Sequence, residues 1–120
     1  MPVSVSSQNN PYVDKLIVDT TANATAEDNV LPGAGTVYIV DIDNTNNSIP
    51  AYAKLFNSSP TEGTTEPSMM LKAPKNVRQT VTITEGIAFA SQISFMCVSG
   101  SATNSLVAPT NNVTVRIMAE

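Results

Sequence analysis

Apolar and polar residues alternate with a period of two in three stretches of the chain. Over residues 80–84, Val81 and Ile83 oppose Thr80, Thr82 and Thr84. Over 112–118, Val113, Val115 and Ile117 oppose Thr114, Arg116 and Met118. Over 92–98, Ile93, Phe95 and Cys97 oppose Ser94, Met96 and Val98. Period two is the signature of a strand with one buried face. The third stretch is apolar on both sides, which predicts a central strand or one whose outer face is covered. Further strands are predicted over 12–18, 36–43, 51–57 and 68–73. Asn-rich and Pro/Gly-containing loops separate them at 44–50, 58–67 and 99–112, and Glu85-Gly86 reads as a short connection. The asparagines of the 44–50 loop read as residues that tolerate left-handed backbone. No segment has a clean helical period, and 21–29 has room for a turn or two at most. The expected fold is all-β: one antiparallel β-sandwich of seven to eight strands, jelly-roll or immunoglobulin-like, with an extended N-terminal arm over 1–12 and the sandwich over 13–120. Val81, Ile83, Ile93, Phe95, Val113, Val115 and Ile117 are its expected core.

Composition supports strands over helices. Charged residues make up 13% of the 120, about half the usual share, while 12 Ser, 14 Thr and 12 Asn supply the polar surface. The chain has no His, which removes the commonest near-neutral acid–base and every triad built on it. A single Cys offers neither a thiolate cage nor an internal disulfide. Six basic residues against ten acidic, a net charge of −4, argue against a nucleic-acid partner. The N-terminus has no basic and apolar secretory pattern, and no run approaches a membrane span. Four Asn-x-Ser/Thr sequons, at Asn23, Asn46, Asn57 and Asn112, are expected by chance at this composition.

The remaining candidate chemistry is thin. Asp41-Ile42-Asp43-Asn44-Thr45-Asn46 has the alternate oxygens of a calcium loop, but Asn46 stands where the turn needs Gly, and Tyr52 where it needs a bidentate carboxylate. Asp41 with Asp43, or Glu62 with Glu66, could form a glycosidase pair, yet no aromatic groove accompanies them. Gly33-Ala34-Gly35 precedes a strand, the reverse of a phosphate loop. Cys97, inside an apolar strand, reads as an inert buried thiol. No catalytic residue, cofactor, metal or small-molecule substrate is expected.

Contact surfaces carry more signal. In the arm, Val3 and Val5 alternate with Ser4 and Ser6, between Pro2 and Pro11. Such a segment either lies against another chain or pairs with its own domain as an edge strand; the intermolecular placement is favoured. Met96 and Met118 fall on the outer faces of their strands, where methionine suits an interface or is covered by the domain's own loops. Val3, Val5, Tyr12, Met96 and Met118 are therefore the candidate partner-contacting residues.

Four segments between about residue 37 and residue 117 carry a resemblance. Ala51-Tyr52-Ala53-Lys54-Leu55-Phe56 is like a "YLKLY" strand, and Glu62-Gly63-Thr64-Thr65-Glu66-Pro67 like an "xVGTxxP" turn. Leu71-Lys72-Ala73-Pro74 is like an "LxxPA" step, and residues 86–95 are like "GIAFSTGLSF", with Ala90 in place of Ser and Ser91-Gln92 in place of Thr-Gly. Together they resemble a family of small tailed-bacteriophage structural proteins met in cyanophage and environmental phage genomes. The resemblance implies a virion protein with a β-sandwich fold, assembled in the host cytoplasm. Its expected role is a capsid cement or decoration protein on the outer capsid surface, a homotrimer whose partners are the major capsid protein and copies of itself. The alternative is a tail, collar or fibre component acting as an adhesin for a host glycan or protein.

Overall fold

The computed structural model describes residues 3–7 and 14–120. Eight strands form two antiparallel sheets: β1 (Val3–Ser7), β2 (Lys15–Ala22), β3 (Gly35–Asp43), β4 (Ala51–Phe56), β5 (Met69–Ala73), β6 (Arg78–Phe89), β7 (Ser94–Val98) and β8 (Val113–Ala119). The larger sheet has the order β1-β2-β8-β3-β6 and the smaller the order β5-β4-β7. The inner residues of both sheets make one core. Ile17, Val40, Ile42, Val113, Val115 and Ile117 from the larger sheet meet Ala53, Leu55, Phe95 and Cys97 from the smaller. The all-β, two-sheet expectation holds, and β8 alternates buried and half-buried along its whole length. Among the described residues, no helix is long and apolar enough to cross a membrane.

β1 pairs with β2 of its own chain, from Val3 opposite Asp19 to Ser7 opposite Lys15. Val3 packs against the core, while Val5 remains 43% exposed. This part of the arm is thus an edge strand in its own sheet, with one side of its backbone unpaired by any described strand. Tyr12 lies outside the described residues.

Three features differ from the sequence reading. Glu85-Gly86 is no connection between strands: β6 runs through it. Val37 pairs with Ile87 and Ile39 with Thr82, so residues 83–86 bulge opposite Tyr38 alone. Gly86 sits at φ +74°, and a Cβ there would lie 2.5 Å from Thr36 Cγ2 and 2.8 Å from Tyr38 Cε1. Only glycine lets the strand bend beneath that ring. Second, Val81 and Ile83 are half-buried, because β6 is an edge strand with a core neighbour on one side only. Third, the segment after β2 is extended. Glu27 bridges Phe95 through both backbone bonds, and Cys97 N–H donates to Asn23 O. Residues 23–30 thereby border β7.

One end of the sandwich is closed by side-chain amides. Asn44 Nδ2 donates to Ile49 O at 2.9 Å and to Pro74 O at 3.1 Å. Its Oδ1 accepts from Asn47 Nδ2 at 3.0 Å. Asn47 in turn exchanges bonds with the backbone of Asn111, 3.1 Å to its O and 2.8 Å from its N. Both side chains are buried. The left-handed positions expected of this loop's asparagines lie elsewhere, at Asn76 (φ 58°) and Asn29 (φ 48°).

Replacing Phe95 by Ala is expected to cost about 3–5 kcal/mol through lost burial and a cavity. Asn44→Ala is expected to cost roughly 2–4 kcal/mol, because buried carbonyls and the Asn47 amide lose their partner together. Urea unfolding of each variant measures both; a change below about 1 kcal/mol contradicts the assigned packing.

Candidate interaction surface

The two sheets treat their outer faces differently. In the smaller sheet Phe56, Met96 and Val98 form a second apolar cluster, covered by Ala24, Ala26 and Tyr52. The loop over 58–67 is tied to the 23–30 segment by Glu62 Oε2, which accepts from Ala26 N at 2.9 Å, and by Ser59 Oγ, which donates to Asp28 at 2.7 Å. Met96, singled out for contact with a partner, is buried under the chain's own segments.

The 99–112 loop is held by a cation. Lys54, on β4, is 1% exposed, and its Nζ donates to Thr103 O at 2.8 Å and Ser105 O at 2.9 Å. Burial lowers the Lys54 pKa, and Glu66 opposes the shift only through space. Across the loop Ser99 N–H donates to Val107 O at 2.8 Å. This brace leaves Leu106 50% and Val107 62% exposed.

The outer face of the larger sheet is not covered by any loop among the described residues. Strand register puts Leu16, Val18, Ile39 and Met118 on it, all half-buried. Tyr38 and Ile39 together oppose Met118 at a bulge. Inset among them is an ionic group. Asp41 Oδ2 lies 2.9 Å from Arg78 Nε and 2.8 Å from Arg78 Nη2. Its Oδ1 accepts from Thr80 Oγ1 at 2.7 Å. Arg116 Nη1 stands 3.6 Å from Oδ2, an ion pair beyond hydrogen-bond reach, and that nitrogen is buried without a hydrogen-bond partner among the described residues. Burial pushes the Asp41 pKa up, but the bonds from Arg78 and Thr80 and the charges of both arginines outweigh it, so the carboxyl titrates below its ordinary value. Ile39, Asp41, Arg78, Thr80, Arg116 and Met118 line a cavity of about 240 Å³.

The acidic pairs of the sequence are separated in use. Asp43 Oδ1 accepts from Thr45 N and Thr45 Oγ1 in a local turn, while Asp41 faces the arginines. Of the candidate contact residues, Met118 lies at the cavity, Val3 and Val5 on the edge strand, and Met96 beneath the loops. Sequence reading missed Asp41, Arg78 and Arg116 as a group. Their signal is faint: Asp41 and Arg116 fall on predicted strands and Arg78 two residues before one, at positions that register alone brings together.

The core holds one further ionisable surprise. Asp19 is 0% exposed and on the core side of β2; Oδ1 accepts from Thr21 N at 3.0 Å, while Oδ2 has no hydrogen-bond partner among the described residues. Burial raises its pKa. Cys97 is pushed up to about 12, chiefly by its own burial and then by the Asp19 charge, so its thiol stays protonated.

The chain matches no family model, no curated protein and no solved structure with which it was compared.

The two aspartates act oppositely on stability. Asp41, with a lowered folded pKa, contributes stability above its ordinary value of 3.8 that is lost as pH falls through the folded value. Asp19, with a raised one, contributes stability that is complete below 3.8 and is lost as pH rises through the folded value. Asp19→Asn is therefore expected to raise the urea midpoint at pH 7 and to leave it nearly unchanged at pH 4; equal effects at both pH values contradict the assignment. Lys54→Met is expected to keep the strands intact but to speed hydrogen exchange at the Ser99 and Val107 amides by about tenfold, a loss of roughly 1.4 kcal/mol of local protection. Unchanged exchange there would show that the ammonium does not hold the loop.

Proposed function

We propose that this chain is a structural protein of a tailed-bacteriophage virion, a capsid cement or decoration protein, acting without catalysis. One observation carries the reading: the chain covers the outer face of its smaller sheet with its own loops and leaves that of its larger sheet as a weakly charged, half-apolar surface. A surface of this kind suits a standing protein contact better than turnover. The resemblance in residues 37–117 supplies the setting, the outer surface of a capsid. A homotrimer seated against the major capsid protein would bind the assembled lattice and not its dissociated subunits, and so would stabilise the shell by mass action. β1 supports the same reading, because it stands at the end of the larger sheet's order, and a strand in that place can be extended by a neighbour's backbone.

A second reading, a tail, collar or fibre adhesin, is favoured by Leu106 and Val107, an apolar pair on a braced loop. Copy number per particle separates the two. Hundreds of copies fit cement, and a few symmetric rings fit tail or fibre.

Purified protein added to particles lacking it is expected to co-sediment in hundreds of copies and to raise the temperature of shell rupture. Met118→Lys is expected to melt within a few degrees of the parent, as a half-exposed surface change should, yet to lose occupancy by about tenfold or more. Full occupancy by the variant, or none by the parent, overturns the reading of this face as the capsid contact.

A further inference from the structure

Both arginines of the chain, Arg78 and Arg116, are on the outer face of the larger sheet, beside one carboxylate. Asp41 is fully used. Its Oδ2 accepts from two Arg78 nitrogens, and its Oδ1 accepts from Thr80 and shares the same Arg78 Nε–H at 3.1 Å. Arg116 is left at 3.6 Å with a buried Nη1 that donates to nothing among the described residues. An unmet buried donor is unfavourable, and a charged one more so. The Arg78 guanidinium spends its Nε edge on Asp41, and its side chain remains 53% exposed. Asp43, next on the same face, has Oδ1 turned to Thr45, so it does not complete Arg116.

We propose that the cavity between Arg78 and Arg116 receives an acidic side chain from the partner polypeptide. The chemistry narrows the ligand in two steps. Asp41 and Asp43 share this face with the two guanidinium groups, but Asp41 is occupied and Asp43 Oδ1 is taken by Thr45, so the N–H donors that the arginines still expose suit the two oxygens of a further carboxylate. The walls then select what carries it. Ile39 and Met118 line the same cavity, so a charge on a short methylene stem buries that stem against them. A volume of about 240 Å³, open to solvent beside Leu16 and Val18, suits one side chain of an extended segment lying on the sheet. The inserted carboxylate oxygens accept hydrogen bonds from the exposed parts of the two guanidinium groups, on side chains that are 34% exposed in Arg116 and 53% in Arg78. A single charged contact in a half-apolar field fixes register more than it adds affinity. The inference rests on the reading of this face as the contact surface, but its test needs no particle.

The test uses the full chain, labelled at the methionine methyls and arginine side-chain nitrogens, and titrated by NMR with Ac-Thr-Val-Glu-Val-Thr-NH2. Saturating shifts at Met118 and Arg116 are expected at roughly millimolar peptide, the range of a lone small contact. The Gln counterpart is expected to bind at least about tenfold more weakly, as is the Glu peptide with Arg116→Gln. Arg116→Lys, which keeps the charge but not the paired donors, is expected to fall between. Equal binding of the Glu and Gln peptides, no shift at Met118, or tighter binding of inorganic phosphate than of the Glu peptide overturns the proposal. Peptide binding with no particle binding upholds the carboxylate site and sinks the capsid role; the reverse sinks the site alone.

Discussion

A three-stranded sheet has two faces, and in this chain neither is wet. The inner face of β5-β4-β7 packs on the larger sheet, and the outer face carries Phe56, Met96 and Val98, which are as apolar as a core. Leaving them exposed would forfeit roughly 1.5–3 kcal/mol for each large side chain. Covering them is therefore the constraint from which much of the remaining architecture follows. Residues 23–30 run beside β7 rather than coiling into a helix, because their backbone N–H and C=O groups complete its open edge while Ala24 and Ala26 lie over Met96. The 58–67 loop follows, tied down by Glu62 and Ser59, and the 99–112 loop is drawn in by Lys54. Three connections are thereby committed to one sheet, and the outer face of the larger sheet has no such cover among the described residues.

Covering a sheet with loops brings polar backbone into dry surroundings, and the chain answers with uncharged amides where it can. Asn44 and Asn47 bind carbonyls from three separate connections, and an amide supplies donors and acceptors without the desolvation penalty of an ion. Lys54 is the exception, since only a long cation reaches from β4 to Thr103 and Ser105. Its ammonium has three donors and, among the described residues, two backbone carbonyl partners, both neutral, so burial lowers its pKa. Asp19 shows the opposite outcome: a carboxyl in the core with one oxygen satisfied by a turn and the other by no donor among the described residues. Near neutral pH it subtracts from stability, a local conflict within an otherwise consistent core.

What the sequence disclosed depended on whether local pattern and tertiary neighbours agreed. β8 alternates strictly and sits between two strands, so its pattern and its environment coincide. β7 reads as apolar on both sides and is buried on both, although the agent of cover could not be read from residues 94–98 themselves. Gly86 misled because glycine after a charged residue usually ends a strand, whereas here it makes room for Tyr38 two strands' pairing away in sequence. Asn44 misled for a related reason. Asparagine in a polar run usually turns the chain in water, and burial was decided by Ile49, Pro74 and Asn111, residues that only the closed end brings together. The same holds for the candidate surface. Met118 was legible from alternation, but Asp41, Arg78 and Arg116 are far apart in the chain and become a group only through the β6-β3-β8 register.

That register also explains why the ionic group belongs on this face. A sheet face with Leu16, Val18, Ile39, Tyr38 and Met118 and no charge would be a generic sticky surface, free to slide against any flat apolar partner. Fixed guanidinium groups change the selection rule. A partner that covers Arg116 without supplying an acceptor strips the cation of water and leaves it unpaired, a penalty that grows as the contact becomes drier. Asp41 lowers this penalty without abolishing it, because its oxygens are already occupied by Arg78 and Thr80. On the proposed reading of this face as a contact surface, the apolar residues would supply area, and the arginines would decide which area is accepted and in what alignment. In a chain with only 16 charged residues, several of them buried or locally paired, placing both arginines on the one open face concentrates that discrimination where a partner has access.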